Sequence, residues 1–137
     1  MRLVIEENDL IDIKFIKWLI KRIKKLIILK CNSRKLSSIQ NYVDNNNPFN
    51  TPNKISINRI ILQASQNIIF YKHKSYFYIM VNPIIRAQGM DLKLEDVCKF
   101  INYGNFEMPG YPLFTNIYFD IKDNIKEYLK QYLIEMS

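Results

Sequence analysis

The stretch Asn67–Asn82, N-I-I-F-Y-K-H-K-S-Y-F-Y-I-M-V-N, decides between an α+β chain and an all-helical one. Two runs rich in β-branched and aromatic residues, Asn67–Tyr71 and Ser75–Asn82, flank the polar residues Lys72-His73-Lys74. That pattern predicts a β-hairpin. Alternation along the second run sets Tyr76, Tyr78 and Met80 on one face and Phe77, Ile79 and Val81 on the other. Both faces are apolar or aromatic, and a two-stranded unit does not stand alone. The second face therefore needs a helix or a neighbouring subunit against it.

Upstream, residues 1–6 (MRLVIE) form either a short strand or a lead-in. Asn8 or Asp9 suits a helix N-cap, and the helix it opens runs to about Leu29. Ile16, Leu19, Ile23, Leu26 and Ile27 fall on one stripe at helical spacing, widened by Phe15, Trp18, Ile20 and Ile28. Lys14, Lys17, Lys21, Lys24 and Lys25 fall near the opposite side. Residues 36–43 are long enough for two helical turns. Residues 44–53, D-N-N-N-P-F-N-T-P-N, form the clearest loop and the expected flexible segment. Ile57, Ile60, Ile61 and Ala64 fit a further helical face, although Ile55 and Ile57 also suit a strand.

Downstream, a helix is expected from about Leu92 to Tyr103, with Leu94, Val97, Cys98 and Ile101 inward and Gly104 as its stop. Next comes Phe100–Phe114, F-I-N-Y-G-N-F-E-M-P-G-Y-P-L-F, which holds two of the three glycines and two of the five prolines of the chain. That density of backbone-constraining residues predicts a built corner with fixed exits. A last helix starts near Leu113 and runs to about Glu135, with Phe114, Ile117, Ile121, Ile125, Tyr128, Leu129 and Tyr132 inward. The expected fold is α+β in one domain, residues 1–137. It comprises a long N-terminal helix, a small antiparallel sheet built on the hairpin, and two C-terminal helices.

Charge is polarised along the chain. Residues 1–35 carry ten Lys/Arg and four Asp/Glu, whereas residues 91–137 carry five and eight; the whole chain is +7. The basic balance invites nucleic-acid or membrane binding, and the basic front and acidic rear invite head-to-tail contact between copies. Cys31 and Cys98 make no metal-binding spacing, and a bridge between them requires the fold to bring them together. Free thiols in a reducing compartment are the expectation. No secretory signal is expected. The run Ile11–Leu29 holds too many charges to span a membrane.

Reaction chemistry finds little to work with. The one histidine, His73, sits in the expected hairpin turn, where a nucleophile-base pair has nothing to orient it. Asp91, Glu95 and Asp96 open a helix, where carboxylates favour the dipole. Three scattered glycines supply no phosphate-cradling loop. The chain is therefore expected to be no enzyme and to use no metal or cofactor.

The order of elements through residues 68–133 resembles the tail-completion and head–tail connector proteins of tailed bacteriophages. Phe100, Tyr103-Gly104, Pro109-Gly110 and Pro112-Leu113-Phe114 stand where that family has an aromatic-x-x-x-Gly segment, a Pro-rich loop and the start of a terminal helix. The chain departs from the pattern at Asn102, where a Glu is common, at Asn105, where a Thr is common, and in lacking a Tyr-Ala pair. The resemblance implies a non-enzymatic virion protein, assembled in the host cytoplasm, that forms a ring around the DNA exit channel. Its partners would be itself and portal or tail subunits, with non-specific contact to DNA and none to membrane. Tyr76, Tyr78, Met80, Phe106 and Tyr111 are then the candidate subunit contacts, and the five lysines of the first helix are the basic surface. Two other expectations fit the composition: a small nucleic-acid-binding protein, and a phage-encoded inhibitor of a host protein.

Overall fold

The computed structural model describes residues 1–31 and 33–137 and has an α+β architecture. In chain order the elements are β1 (Leu3–Glu6), α1 (Ile13–Ile28), α2 (Arg34–Asn46), α3 (Ile57–Gln66), β2 (Ile68–His73), β3 (Tyr76–Val81), α4 (Leu94–Tyr103), α5 (Leu113–Asp123) and α6 (Ile125–Met136). The three strands form one antiparallel sheet in the order β1-β3-β2. Residues 1–6 thus resolve as a strand, and β3 becomes the central one, with Leu3 opposite Ile79 and Ile5 opposite Phe77.

The alternation predicted for β3 holds. Phe77, Ile79 and Val81 are buried, joined on the inner face by Leu3, Ile5 and Ile68. Tyr76, Tyr78 and Met80 lie on the outer face, which stays half-exposed. The turn differs from the expected Lys72-His73-Lys74. Lys72 and His73 belong to β2, His73 pairs with Tyr76, and Lys74-Ser75 make the loop, with Lys74 at φ +55°. β2 is an edge strand whose far end is in solvent, so polar residues do not disqualify it, and a two-residue hairpin loop calls for positive φ.

The helix α1 starts later than Asn8 or Asp9. Asn8 instead folds an Asx turn, its Oδ1 accepting from the Leu10 and Ile11 N–H groups. Asp12 is the cap, accepting from the Phe15 N–H at 3.0 Å. The apolar stripe of α1 buries Phe15, Ile16, Leu19, Ile20, Ile23 and Ile27, and packs against α3, α5, α6 and β2. Each of these side chains contributes roughly 1.5–3 kcal/mol of burial.

The ambiguous Ile55–Ile57 segment is settled by Gln40. Its Oε1 accepts from the Ile57 N–H at 2.7 Å and its Nε2 donates to the Ile55 carbonyl at 2.8 Å. Ile55 is thereby held as a buried, extended lead, and Ile57 opens α3. The expected loop 44–53 begins only at Asn47, which ends α2 in the left-handed region. Asn47 Oδ1 accepts from the Thr51 N–H and its Nδ2 donates to the Thr51 carbonyl, so the segment carries its own hydrogen bonds.

The last helix is two helices, not one, which makes three after the sheet. At Asn124 the backbone leaves helical values (φ −115°, ψ 25°). Asp120 pins the joint: its Oδ1 accepts from Asn124 Nδ2, and its Oδ2 accepts from the Tyr128 hydroxyl at 2.6 Å. Beyond the joint, Tyr132 packs on Phe15 and Trp18, with ring centroids 5.5 and 5.6 Å away.

Burial, then the hydrogen bond to Asp120 and the charge of that carboxylate, push the Tyr128 phenol up to about 12. A phenol raised above its unfolded value of about 10 holds stability that is present below that pH and lost as pH climbs through the folded value. Urea midpoints measured from pH 9 to about 12 should therefore fall with pH, and fall less steeply in Tyr128→Phe. Equal slopes for the two proteins would show that the Tyr128–Asp120 joint does not contribute.

Candidate functional site

The loop between α4 and α5 is built as the sequence implies, and more tightly. Gly104 ends α4 at φ +67°, and a Cβ there would run into the Met108 carbonyl oxygen and the Gly110 nitrogen. No other residue tolerates that combination. Gly104 and Pro109 form an antiparallel bridge, and the Tyr111 N–H donates to the Ile101 carbonyl at 2.8 Å. Asn105 Oδ1 accepts from the Glu107 and Met108 N–H groups, both at 2.9 Å. Its Nδ2 donates to the Tyr42 hydroxyl, which in turn donates to Glu107 Oε2 at 3.1 Å. Behind the loop, Phe100 stacks with Tyr42 and meets Phe49 edge-on.

Asn102 and Asn105, two of the three departures from the connector pattern, are thus the residues that hold this corner. Asn102 is 3 % exposed. Its Oδ1 accepts from the Phe114 and Thr115 N–H groups at 3.1 and 3.0 Å, and its Nδ2 donates to Thr115 Oγ1 at 2.7 Å. It caps α5 from a distance, since the ring of Pro112 at the N-cap position carries no hydrogen-bond acceptor. Reading the chain position by position gave Asn102 and Asn105 no role; Asn two residues before and one after a helix-ending Gly was the available signal.

What this frame presents is Phe106, 97 % exposed at the loop tip beside Glu107. Tyr111 behaves differently. It is half-buried, with the Lys35 ammonium 5.4 Å from its ring centroid. The candidate contact residues therefore fall on two surfaces: Phe106 and Tyr111 on this loop beside α2, and Tyr76, Tyr78 and Met80 on the outer face of the sheet. There Tyr78 stacks on Tyr71 at 4.9 Å, Arg2 lies over the Tyr78 ring and donates to the Tyr71 hydroxyl, and Tyr76 is 40 % exposed.

Three of the five helix lysines come together. Lys17, Lys21 and Lys24 rim a groove of about 470 Å³ between α1 and β2, whose floor is Ile20, Ile68, Ile69 and Phe70. Lys14 and Lys25 are exposed on the same helix and do not line it. Among the described residues none of the five has an ion-pair partner, and neither has Glu107. The groove follows an open sheet edge. The Asn82 N–H donates to the Asn67 carbonyl, which fixes the phase of the ladder and turns the backbone groups of Ile68, Phe70 and Lys72 outward. Lysines beside such an edge also deter edge-to-edge pairing. A smaller cavity, about 230 Å³, lies at the other edge between β1 and α5, lined by Arg2, Val4, Tyr118 and Phe119.

Reactive groups are scattered or shielded. His73 is exposed at the end of β2. Both cysteines are free and buried. Burial, assisted by the Glu95 charge, pushes the Cys98 thiol up to about 12, so it stays protonated. Among the described residues no group of three His, Cys, Asp or Glu gathers to hold a metal ion, and no helix is long and apolar enough to cross a membrane. Comparison with family models, curated proteins and solved structures returned no match.

Replacing Asn102 by Ala would leave two N–H groups at the start of α5 without their acceptor. A loss of about 1–3 kcal/mol is expected in urea unfolding. A loss below about 0.5 kcal/mol, within the range of neutral surface changes, would show that the cap is dispensable.

Proposed function

We propose that the protein is a structural virion subunit of a tailed phage, a non-enzymatic component of the head–tail connector or tail assembly that associates into a ring. The observation that carries this reading is the immobilised loop that presents Phe106 to solvent. A fully exposed aromatic is a poor use of a loop fixed by two Asn side chains, a tyrosine and a glycine, unless a partner covers it. The half-exposed outer sheet face, with Tyr76, Tyr78 and Met80, supports the same reading. So does the order hairpin, helix, Gly/Pro corner, helix, which carries the resemblance to connector proteins. Work through surfaces also agrees with titratable groups that are exposed and scattered, or buried and protonated. The ring would assemble in the host cytoplasm, meet portal or tail subunits, and end in the virion.

Purified protein should sediment as a discrete oligomer at micromolar concentration, and peptides of the chain should be found by mass spectrometry in gradient-purified particles. A strict monomer that is absent from particles would overturn the assignment.

A second reading, a small nucleic-acid-binding protein, is favoured by one observation: Lys17, Lys21 and Lys24 converge on a groove and no carboxylate of the described residues pairs with them. Binding of a fluorescent oligothymidylate should weaken log-linearly with salt, with a slope of about −2 for three contacts to a single strand. The charge-reversed Lys17→Glu/Lys21→Glu/Lys24→Glu protein should lose it. No binding at 20 mM salt would remove this reading.

A further inference from the structure

The loop tip and the groove are complementary in two respects. The tip offers one aromatic ring and, next to it, one carboxylate. The groove offers an apolar floor of Ile20, Ile69 and Phe70 and a rim of three ammonium groups. We propose that the occupant of the groove is a second copy of this chain: Phe106 of one protomer seats on the floor of the next, and its Glu107 pairs with Lys17, Lys21 and Lys24 at the rim.

Three observations carry this. First, the tip is preorganised. Asn105 holds the Glu107 and Met108 amides, Tyr42 holds the Glu107 carboxylate on one oxygen, and the Gly104–Pro109 bridge closes the loop. Docking such a tip orders little that is not already ordered, which is where binding free energy is usually lost. Second, the charges match and are unused. Glu107 and the three lysines each lack an ion-pair partner among the described residues. A carboxylate among three ammonium groups steers approach as well as fixing register. Third, the two surfaces share no residue. The tip rests on α2 and α4, and the groove lies between α1 and β2. Such a contact is heterologous and leaves one copy of each pair with a free groove and the other with a free tip, so it propagates, and it closes into a ring where the rotation between copies allows. A nucleic-acid strand would use the lysines but would leave the apolar floor without a purpose.

This contact rests on the assembly reading above, and the test separates the two. The full-length chain would be studied by sedimentation equilibrium at 0.1 M salt as wild type, Phe106→Ser, Glu107→Lys, Lys21→Glu and the double variant Glu107→Lys/Lys21→Glu. The three substituted side chains, Lys21, Phe106 and Glu107, are all exposed, so unchanged thermal unfolding is expected. Phe106→Ser and Glu107→Lys should each weaken association at least about tenfold, in line with loss of an interface anchor. The double variant should associate at least about threefold more tightly than Glu107→Lys without reaching wild type, because one of the three repulsions becomes an attraction while Lys17 and Lys24 still repel the new ammonium. A monomeric wild type would overturn the assembly reading and this contact with it. A wild-type oligomer that Phe106→Ser and Glu107→Lys leave intact would overturn this contact alone. Disruption by Glu107→Lys without recovery in the double variant would assign the tip to another surface. Loss of oligothymidylate binding in Lys21→Glu, with association unchanged, would assign the groove to a polyanion.

Discussion

The apolar stripe of α1 is the constraint on which the other elements depend. Phe15, Ile16, Leu19, Ile23 and Ile27 are sealed from solvent, and α3, α5, α6 and β2 all pack on that helix. A stripe of this width cannot be covered by a sheet of three short strands. The chain therefore surrounds it with helices and uses the sheet as one wall. The inner face of β3 is buried by this arrangement, while its outer face has no helix of the described residues laid over it and keeps its tyrosines half-exposed.

Much of this was legible in the residues because local and tertiary demands agreed. The alternation in Tyr76–Val81 has period two, the spacing in α1 and α4 is helical, and Gly104 stops a helix where the chain must turn. The misreadings came where a local signal had two outlets. Asn8 looked like a cap and is one step of an Asx turn, because Asp12 also caps and lies nearer the first buried residue of the helix, Phe15. Lys72 and His73 looked like a turn because an edge strand facing water has the same composition as a loop. The apolar spacing of Leu113–Tyr132 ran on through Asn124, where Asp120 and Tyr128 bend the path without interrupting the pattern.

The surfaces were legible only in part, and for a different reason. The five lysines share a helical face, which spacing alone reveals. That three of them face an apolar floor depends on β2, which is more than forty residues away in sequence. Phe106 stood out by composition, but its rigidity comes from Tyr42, on a helix that the sequence marks only weakly. Asn102 and Asn105 were noticed as departures from a pattern. Their side-chain oxygens turn out to organise the corner that the pattern describes.

The pairing of β1 with β3 bears on how the chain acquires its shape. Leu3 meets Ile79 across more than seventy residues, whereas β2 and β3 are joined by a two-residue loop. Closure entropy grows with the logarithm of loop length, so the hairpin is by far the cheaper event. On the ribosome β1 is made before the hairpin and can pair only once β3 exists, after residue 81 has left the peptidyl-transferase centre. Until then the strand Leu-Val-Ile-Glu has no partner strand. The order of synthesis and the order of pairing are thus opposed at one end of the molecule, and the nascent chain is most exposed to mispairing there.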